Sequence, residues 1–238
     1  MCMDSRCRVL AWDSEFFGRR IAQLTGPHLR DAEVKDIVAW SRAERIECLY
    51  FLAASDCPET LSTAQRHGFE WVDLRVTCER KSTGNPKSQS IEPVKVRPHT
   101  EADLPQLAAI ARGAHTDSRF FFDTRFDRGR AAELYACWIR RACKDDHVLV
   151  AECSGQPVGY LSCTRTGEIG LAGLAPDFQG RGIGRALLAA GLAWFAGQGI
   201  GDLRVVTQGR NVAAQRLYQS AGFRTRSVEC WFHKWFDL

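Results

Sequence analysis

Three glycines at alternate positions, in Gln179-Gly180-Arg181-Gly182-Ile183-Gly184-Arg185, are the part of this chain best suited to hold a charged ligand. Without Cβ atoms, a backbone bent at such positions lets successive N–H groups converge on one point. A helix beginning there adds the positive end of its dipole, so the turn can hold a pyrophosphate by main chain alone. A Rossmann turn would follow the first strand of an alternating βα series, with an acidic residue about 20 positions on, and a P-loop would end in Gly-Lys-Ser or Gly-Lys-Thr; neither is written here. The second candidate is Tyr218, in a segment that begins at Asn211, a natural N-cap, and ends at Gly222-Phe223. On such a helix the phenol lies half buried against its support, with its hydroxyl at the rim.

The elements that position these residues follow from periodicity. Before the turn, His147 to Glu152 and Val158 to Arg165 alternate around Ser154-Gly155-Gln156-Pro157 as a β-hairpin, and Glu168 to Leu174 is a third strand. After it, Ile183, Leu187, Ala190 and Trp194 recur on one face of a helix from Arg181 to Gln198. Leu203 to Thr207 reads as a buried strand, Asn211 to Ser220 as a helix and Phe223 to Trp235 as a strand. Upstream, Val94 to Arg97 is a strand, and Glu101 to Arg112 and Arg128 to Cys143 are helices, the first capped by Thr100.

The stretch from Lys81 to Pro93, KSTGNPKSQSIEP, has the composition of an exposed connection. It divides the chain into residues 1–80, a linker 81–93 and a main domain 94–238. The first part carries strand-like Arg8 to Trp12, a helix near Asp31 to Glu44, a strand at Cys48 to Ala53, a helix around Glu59 to Arg66 and a strand from Glu70 to Glu79. This resembles the second half of the main domain in miniature. Superposing Gly68-Phe69 on Gly222-Phe223 puts Ala64 where Tyr218 stands, although a chance match of one short helix and a turn accounts for it equally well.

Gln179 to Gly184 after three antiparallel strands, with Asn-xx-Ala-xx-Leu-Tyr-xxx-Gly-Phe from Asn211 to Phe223, resembles the two signatures of the GNAT acetyltransferase superfamily. The resemblance runs from Val94 to the C-terminus. It implies an α+β fold, a mixed and mostly antiparallel central sheet flanked by helices, here with a smaller N-terminal α/β domain resembling part of the same fold. It implies acetyl-CoA as cosubstrate, held by Leu174, Gln179, Gly180, Arg181, Gly182, Ile183, Gly184 and Arg185, with Asn211 on the pantetheine arm and Tyr218 protonating the departing thiolate. A thioester carbonyl attacked by a neutral amine develops an oxyanion, and the resemblance places its donor on the backbone near Ala172 to Leu174. Glu168 stands where several members carry a general base, with His115 and Asp117 as rivals.

Acceptor choice points to His115-Thr-Asp117-Ser118-Arg119-Phe120-Phe121-Phe122-Asp123-Thr-Arg125-Phe126, dense in aromatics with two arginines. Phe120 could stack on a base or sugar, and Arg119 and Arg125 offer forks for a pyrophosphate; a hydrophobic plug is the plainer reading. With the opening Leu10-Ala11-Trp12-Asp13-Ser14-Glu15-Phe16-Phe17-Gly18, this loop resembles the TDP-amino-sugar N-acetyltransferases, which implies a small-molecule acceptor, a TDP-linked 4-amino-4,6-dideoxyhexose. A lysine, a protein N-terminus or an aminoglycoside would be the same chemistry on another amine, and a CoA-binding regulatory module a different class.

Composition narrows the field. The net charge of +4, from 32 basic and 28 acidic residues spread along 238, leaves no concentrated stripe for nucleic acid. The longest apolar stretch, Ala186 to Ala196, is too short to span a bilayer, and no membrane insertion is expected. Ten scattered cysteines without a CxxC pair, and no secretory apolar region at the N-terminus, point to a reduced, cytoplasmic chain. Cys230 and His233 lack a second ligand pair, so no metal is expected. Trp231, Phe232, Trp235 and Phe236 either end the last strand in the core or pair it across a homodimer.

Overall fold

The computed structural model describes residues 6–81 and 93–237, so the core of the linker expected at 81–93 lies outside the described residues. The first segment runs β1 (Cys7–Val9), α1 (Ala11–Phe17), β2 (Ile21–Leu24), α2 (Asp31–Ala43), β3 (Cys48–Ala54), α3 (Pro58–Arg66) and β4 (Glu70–Lys81). The second runs β5 (Val94–Pro98), α4 (Leu104–Ala114), α5 (Arg119–Phe122), α6 (Arg128–Asp145), β6 (His147–Cys153), β7 (Gln156–Cys163), β8 (Glu168–Leu174), α7 (Ile183–Gly197), β9 (Asp202–Gln208), α8 (Val212–Ser220) and β10 (Arg224–Trp235).

All ten strands join one sheet in the order β1-β2-β3-β10-β4-β9-β8-β7-β6-β5. Neighbours are antiparallel except β2 with β3 and β8 with β9. The first segment is woven into the second, because β4 lies between β9 and β10. Its residues Arg75 to Lys81 pair with Gln208 to Asp202, while β10 pairs with β4 on one edge and β3 on the other. Both edges of β10 are thus occupied within the chain, which settles the last strand as internal rather than paired across a dimer.

The sheet is buried from both sides. In β6, Val148 and Val150 meet Leu107, Ala111, Leu134 and Ile139 of α4 and α6, while Leu149 and Ala151 meet Leu187, Leu188 and Phe195 of α7. A strand covered on both faces has no polar side to show, which is why Val148 to Ala151 is an unbroken apolar run and not the alternation expected of this strand. Each such fully buried aliphatic side chain stabilises the fold by about 1.5–3 kcal/mol.

One expected element is corrected. Arg8 to Trp12 reads as a strand, but the strand ends at Val9 and Trp12 lies in α1. Ser14 causes the switch: its hydroxyl donates to the Leu10 carbonyl at 2.7 Å and accepts from the Ile21 amide at 3.0 Å, holding one helical turn against β2. Among the described residues no helix is long and apolar enough to cross a membrane.

Candidate functional site

β8 and β9 pair only at Glu168 with Arg204 and Ile169 with Val205. Beyond that, β8 follows β7 as far as Leu174 and β9 follows β4 as far as Gln208, and between them opens a cavity of about 560 Å³. A bulge in the β7–β8 ladder accompanies the divergence, and there the Ser162 hydroxyl accepts from the Leu171 amide at 2.8 Å. Ala172, Gly173 and Leu174 form one wall, and Asn211, Ala214, Leu217 and Tyr218 another.

The glycine turn borders this cavity through Gln179, Gly180, Gly182, Gly184 and Arg185. Gly182 precedes α7 with φ +83°, a conformation that an L side chain resists. The five amides from Gly180 to Gly184 find no acceptor among the described residues. Five unpaired N–H groups at a helix start suit a pyrophosphate, and the cavity is of a size that takes a pantetheine arm. The residues present therefore fit acetyl-CoA.

Asn211 caps α8, its Oδ1 accepting from the Ala214 amide at 3.0 Å, and so holds the helix that carries Tyr218. Tyr218 is buried, its ring edge-on to Phe223 at 5.9 Å, and burial raises its phenol well above the ordinary value. It is a protonated O–H on the cavity wall. Opposite β8, Tyr160 lies against Gly173 so closely that a Cβ there would sit 2.8 Å from its ring. Its hydroxyl shares a 2.8 Å hydrogen bond with Nε2 of His115, and burial pushes that histidine down to about 4.

The chain is similar to proteins of known class over most of its length. The acetyltransferase (GNAT) family model matches residues 107–223. A mycothiol acetyltransferase of Stackebrandtia nassauensis is 40% identical over 218 residues, covering 86% of this chain and 69% of that one. The chain belongs to the GNAT acetyltransferase family. It is an acetyl-CoA-dependent N-acetyltransferase. A dTDP-fucosamine acetyltransferase of Escherichia coli O6:H1 is 28% identical over 234 residues, covering 94% of this chain and 96% of that one. The crystal structure of a GCN5-related N-acetyltransferase from Sphaerobacter thermophilus superposes with a TM-score of 0.69 at 17% identity, over 98% of this chain and 78% of that one; it shares the fold.

The structure brings Leu174, Gln179, Gly180, Gly182, Gly184, Arg185, Asn211 and Tyr218 around one cavity, while Arg181 lies 5.3 Å over the Phe178 ring and Ile183, the first residue of α7, is buried in the core. Other expected site residues lie elsewhere. Glu168 is at the opposite end of β8, five residues or roughly 17 Å of strand from Gly173. It faces Arg204 at 3.9 Å in a separate cavity, because the parallel pairing with β9 falls at its own position. Phe120 is buried against Phe17 and Phe126, so it serves as the plug. Arg119 stacks on Tyr50, Phe120 and Trp231 at 4.1–4.3 Å and donates to Nε2 of His233 at 2.7 Å. An arginine only donates, so His233 is neutral and its Nδ1–H donates to Asp123 at 2.7 Å. Arg125 is tied to Asp123 at 2.9 Å and to both oxygens of Glu70. None of these three lines the cavity.

Residues not anticipated stand near it instead. Asp73 of β4 is buried, and burial pushes its carboxyl up to about 6 even though Arg210 lies 3.8 Å away. Arg210 donates to the carbonyls of Val72 at 2.8 Å and of Asp117 at 3.4 Å, and Asp117 lines the cavity beside Ala114. The same guanidinium covers Phe122 at 4.1 Å and Trp71 at 5.7 Å, both exposed. The signal for Asp73 was a carboxylate inside the apolar strand Trp71-Val72-Asp73-Leu74.

Proposed function

We propose that this enzyme acetylates the amino group of a nucleotide-linked 4-amino-4,6-dideoxyhexose, TDP being the nucleotide, in the cytoplasm. The observation that carries this reading is the match to the dTDP-fucosamine acetyltransferase at both ends of the chain, covering 96% of that protein. In this reading residues 1–80 are an accessory unit, 81–93 a connection and 94–238 the transferase unit. Through β4 the accessory unit supplies Trp71 and Asp73 to the acceptor side.

Acetyl-CoA supplies an activated acyl group. The amides of Gly180 to Gly184 and the flanking arginines anchor its phosphates, and Asn211 orders the wall along its arm. The free edge of β8 at Ala172 to Leu174 offers N–H groups to the oxygen that gains charge as the amine attacks. Tyr218, a protonated phenol on the cavity wall, gives its proton to the leaving sulfur. Asp73, in place of Glu168, takes the proton from the amine through water, with Arg210 and Asp117 along the path. The exposed pair Trp71 and Phe122 gives the nucleobase faces to stack on. An acceptor of the kind used by mycothiol acetyltransferase is the second reading, favoured by the 40% identity to that enzyme.

Thiol release from acetyl-CoA with TDP-4-amino-4,6-dideoxygalactose, an aminoglycoside and a lysine peptide in parallel tests the proposal. Turnover with the nucleotide sugar alone supports it; turnover with either of the others and none with the sugar rejects the acceptor class.

A further inference from the structure

A second cavity adjoins the one beside the glycine turn. Arg185, Leu217 and Ser220 belong to the walls of both, and the second, of about 270 Å³, is backed by Leu188, Ala189 and Leu192 of α7. Arg80, near the end of β4, lines this second space and so brings the N-terminal segment into it. Its position is fixed: its backbone pairs with Leu203 of β9, and its Nε passes Gly222 so that a Cβ there would touch it at 3.8 Å.

The carboxylates around Arg80 are already matched, and none of them is matched to it. Glu79 is paired with Arg226 at 2.7 Å, Asp202 with Lys81, and Glu168 faces Arg204. Among the described residues no carboxylate pairs with Arg80, Arg185 or Arg216, although all three line these adjoining cavities. Three such guanidiniums form a field that an anion with several charges would satisfy. Acetyl-CoA carries such charges: two phosphates in its pyrophosphate and a third on the 3′ position of the ribose beyond it. The turn supplies amides for the first two only.

We propose that Arg80 binds the 3′-phosphate of acetyl-CoA, so that a residue of the N-terminal segment completes the cofactor site and distinguishes the cofactor from its dephosphorylated form. A planar guanidinium suits a terminal phosphate because two N–H groups meet two oxygens. The inference rests on acetyl-CoA as the cosubstrate and is independent of the acceptor.

Calorimetric titration of the full chain with coenzyme A and with 3′-dephospho-coenzyme A separates the outcomes. The wild type is expected to prefer coenzyme A by about tenfold, the scale of one half-exposed charge-assisted contact. Arg80→Gln loses most of that preference while its affinity for the dephospho form stays unchanged, and Arg80→Lys keeps part of it. A preference that survives Arg80→Gln overturns the inference. So does an equal loss for both ligands, which would mark Arg80 as a support of the sheet. A wild type that binds neither ligand overturns the cofactor assignment and this inference with it.

Discussion

Replacing Asp73 by asparagine should make this protein more stable and less active at the same time. The carboxyl is buried and its pKa is raised from 3.8 to about 6, so at neutral pH the fold holds a charge that its surroundings penalise. Between about pH 4 and pH 6 the folded chain keeps a proton that the unfolded chain has released, and wild-type stability therefore falls as pH rises through that window. The shift corresponds to a cost on the order of 2–3 kcal/mol. Asparagine keeps the shape without the charge, while Arg210 loses an attraction at 3.8 Å and keeps its bonds to Val72 and Asp117. The variant should match the wild type at pH 4 and exceed it by roughly 1–2 kcal/mol at pH 8, the reduction allowing for the lost pair. Urea denaturation followed by tryptophan fluorescence measures this. If Asp73 is also the proton acceptor, turnover falls by about a hundredfold or more, and the rise of kcat/KM through pH 6 disappears. A variant destabilised at pH 8, with turnover and acidic limb intact, would refute both halves of the reasoning.

Gly182→Ala should weaken acetyl-CoA binding by about tenfold, because φ +83° costs an L residue roughly 1–2 kcal/mol and the turn must shift to relieve it; equilibrium titration with coenzyme A reads this directly. The two phenylalanines of the loop should part ways. Phe120→Ala, emptying a buried site, costs about 3–5 kcal/mol of stability in denaturant. Phe122→Ala, at an exposed ring, costs less than about 0.5 kcal/mol and instead raises KM for the nucleotide-linked acceptor.

The cofactor half of the site was legible because its chemistry is local. Glycines at 180, 182 and 184 and the segment from Asn211 to Phe223 each fix backbone geometry within one turn and the helix beside it, and both lie where the spacing put them. The acceptor half is built from contacts distant in sequence, such as Arg210 with Asp73 and Arg119 with His233, which no periodicity reports. Of the loop residues read by type, Phe120 is the plug that was the plainer reading and not a stacking ring, and Arg125 is not a free fork, because Glu70, 55 positions away, already occupies it. Glu168 was misplaced for another reason. Alternation identifies β8 as a strand but not where its pairing with β9 stops, and that point decides which end opens into the cavity. The insertion of β4 between β9 and β10 was equally invisible, since each strand reads the same whatever its neighbours.

The most direct test of the account is thiol release from acetyl-CoA with TDP-4-amino-4,6-dideoxygalactose, comparing the wild type with Tyr218→Phe. The ring still packs on Phe223 at 5.9 Å, so fold and coenzyme A affinity should hold. The account predicts turnover in the wild type and a loss of about tenfold to a hundredfold in kcat in the variant. Equal kcat in the two proteins would contradict the assignment of the thiolate's proton to Tyr218, and no turnover by a wild type that binds acetyl-CoA would contradict the nucleotide-sugar acceptor.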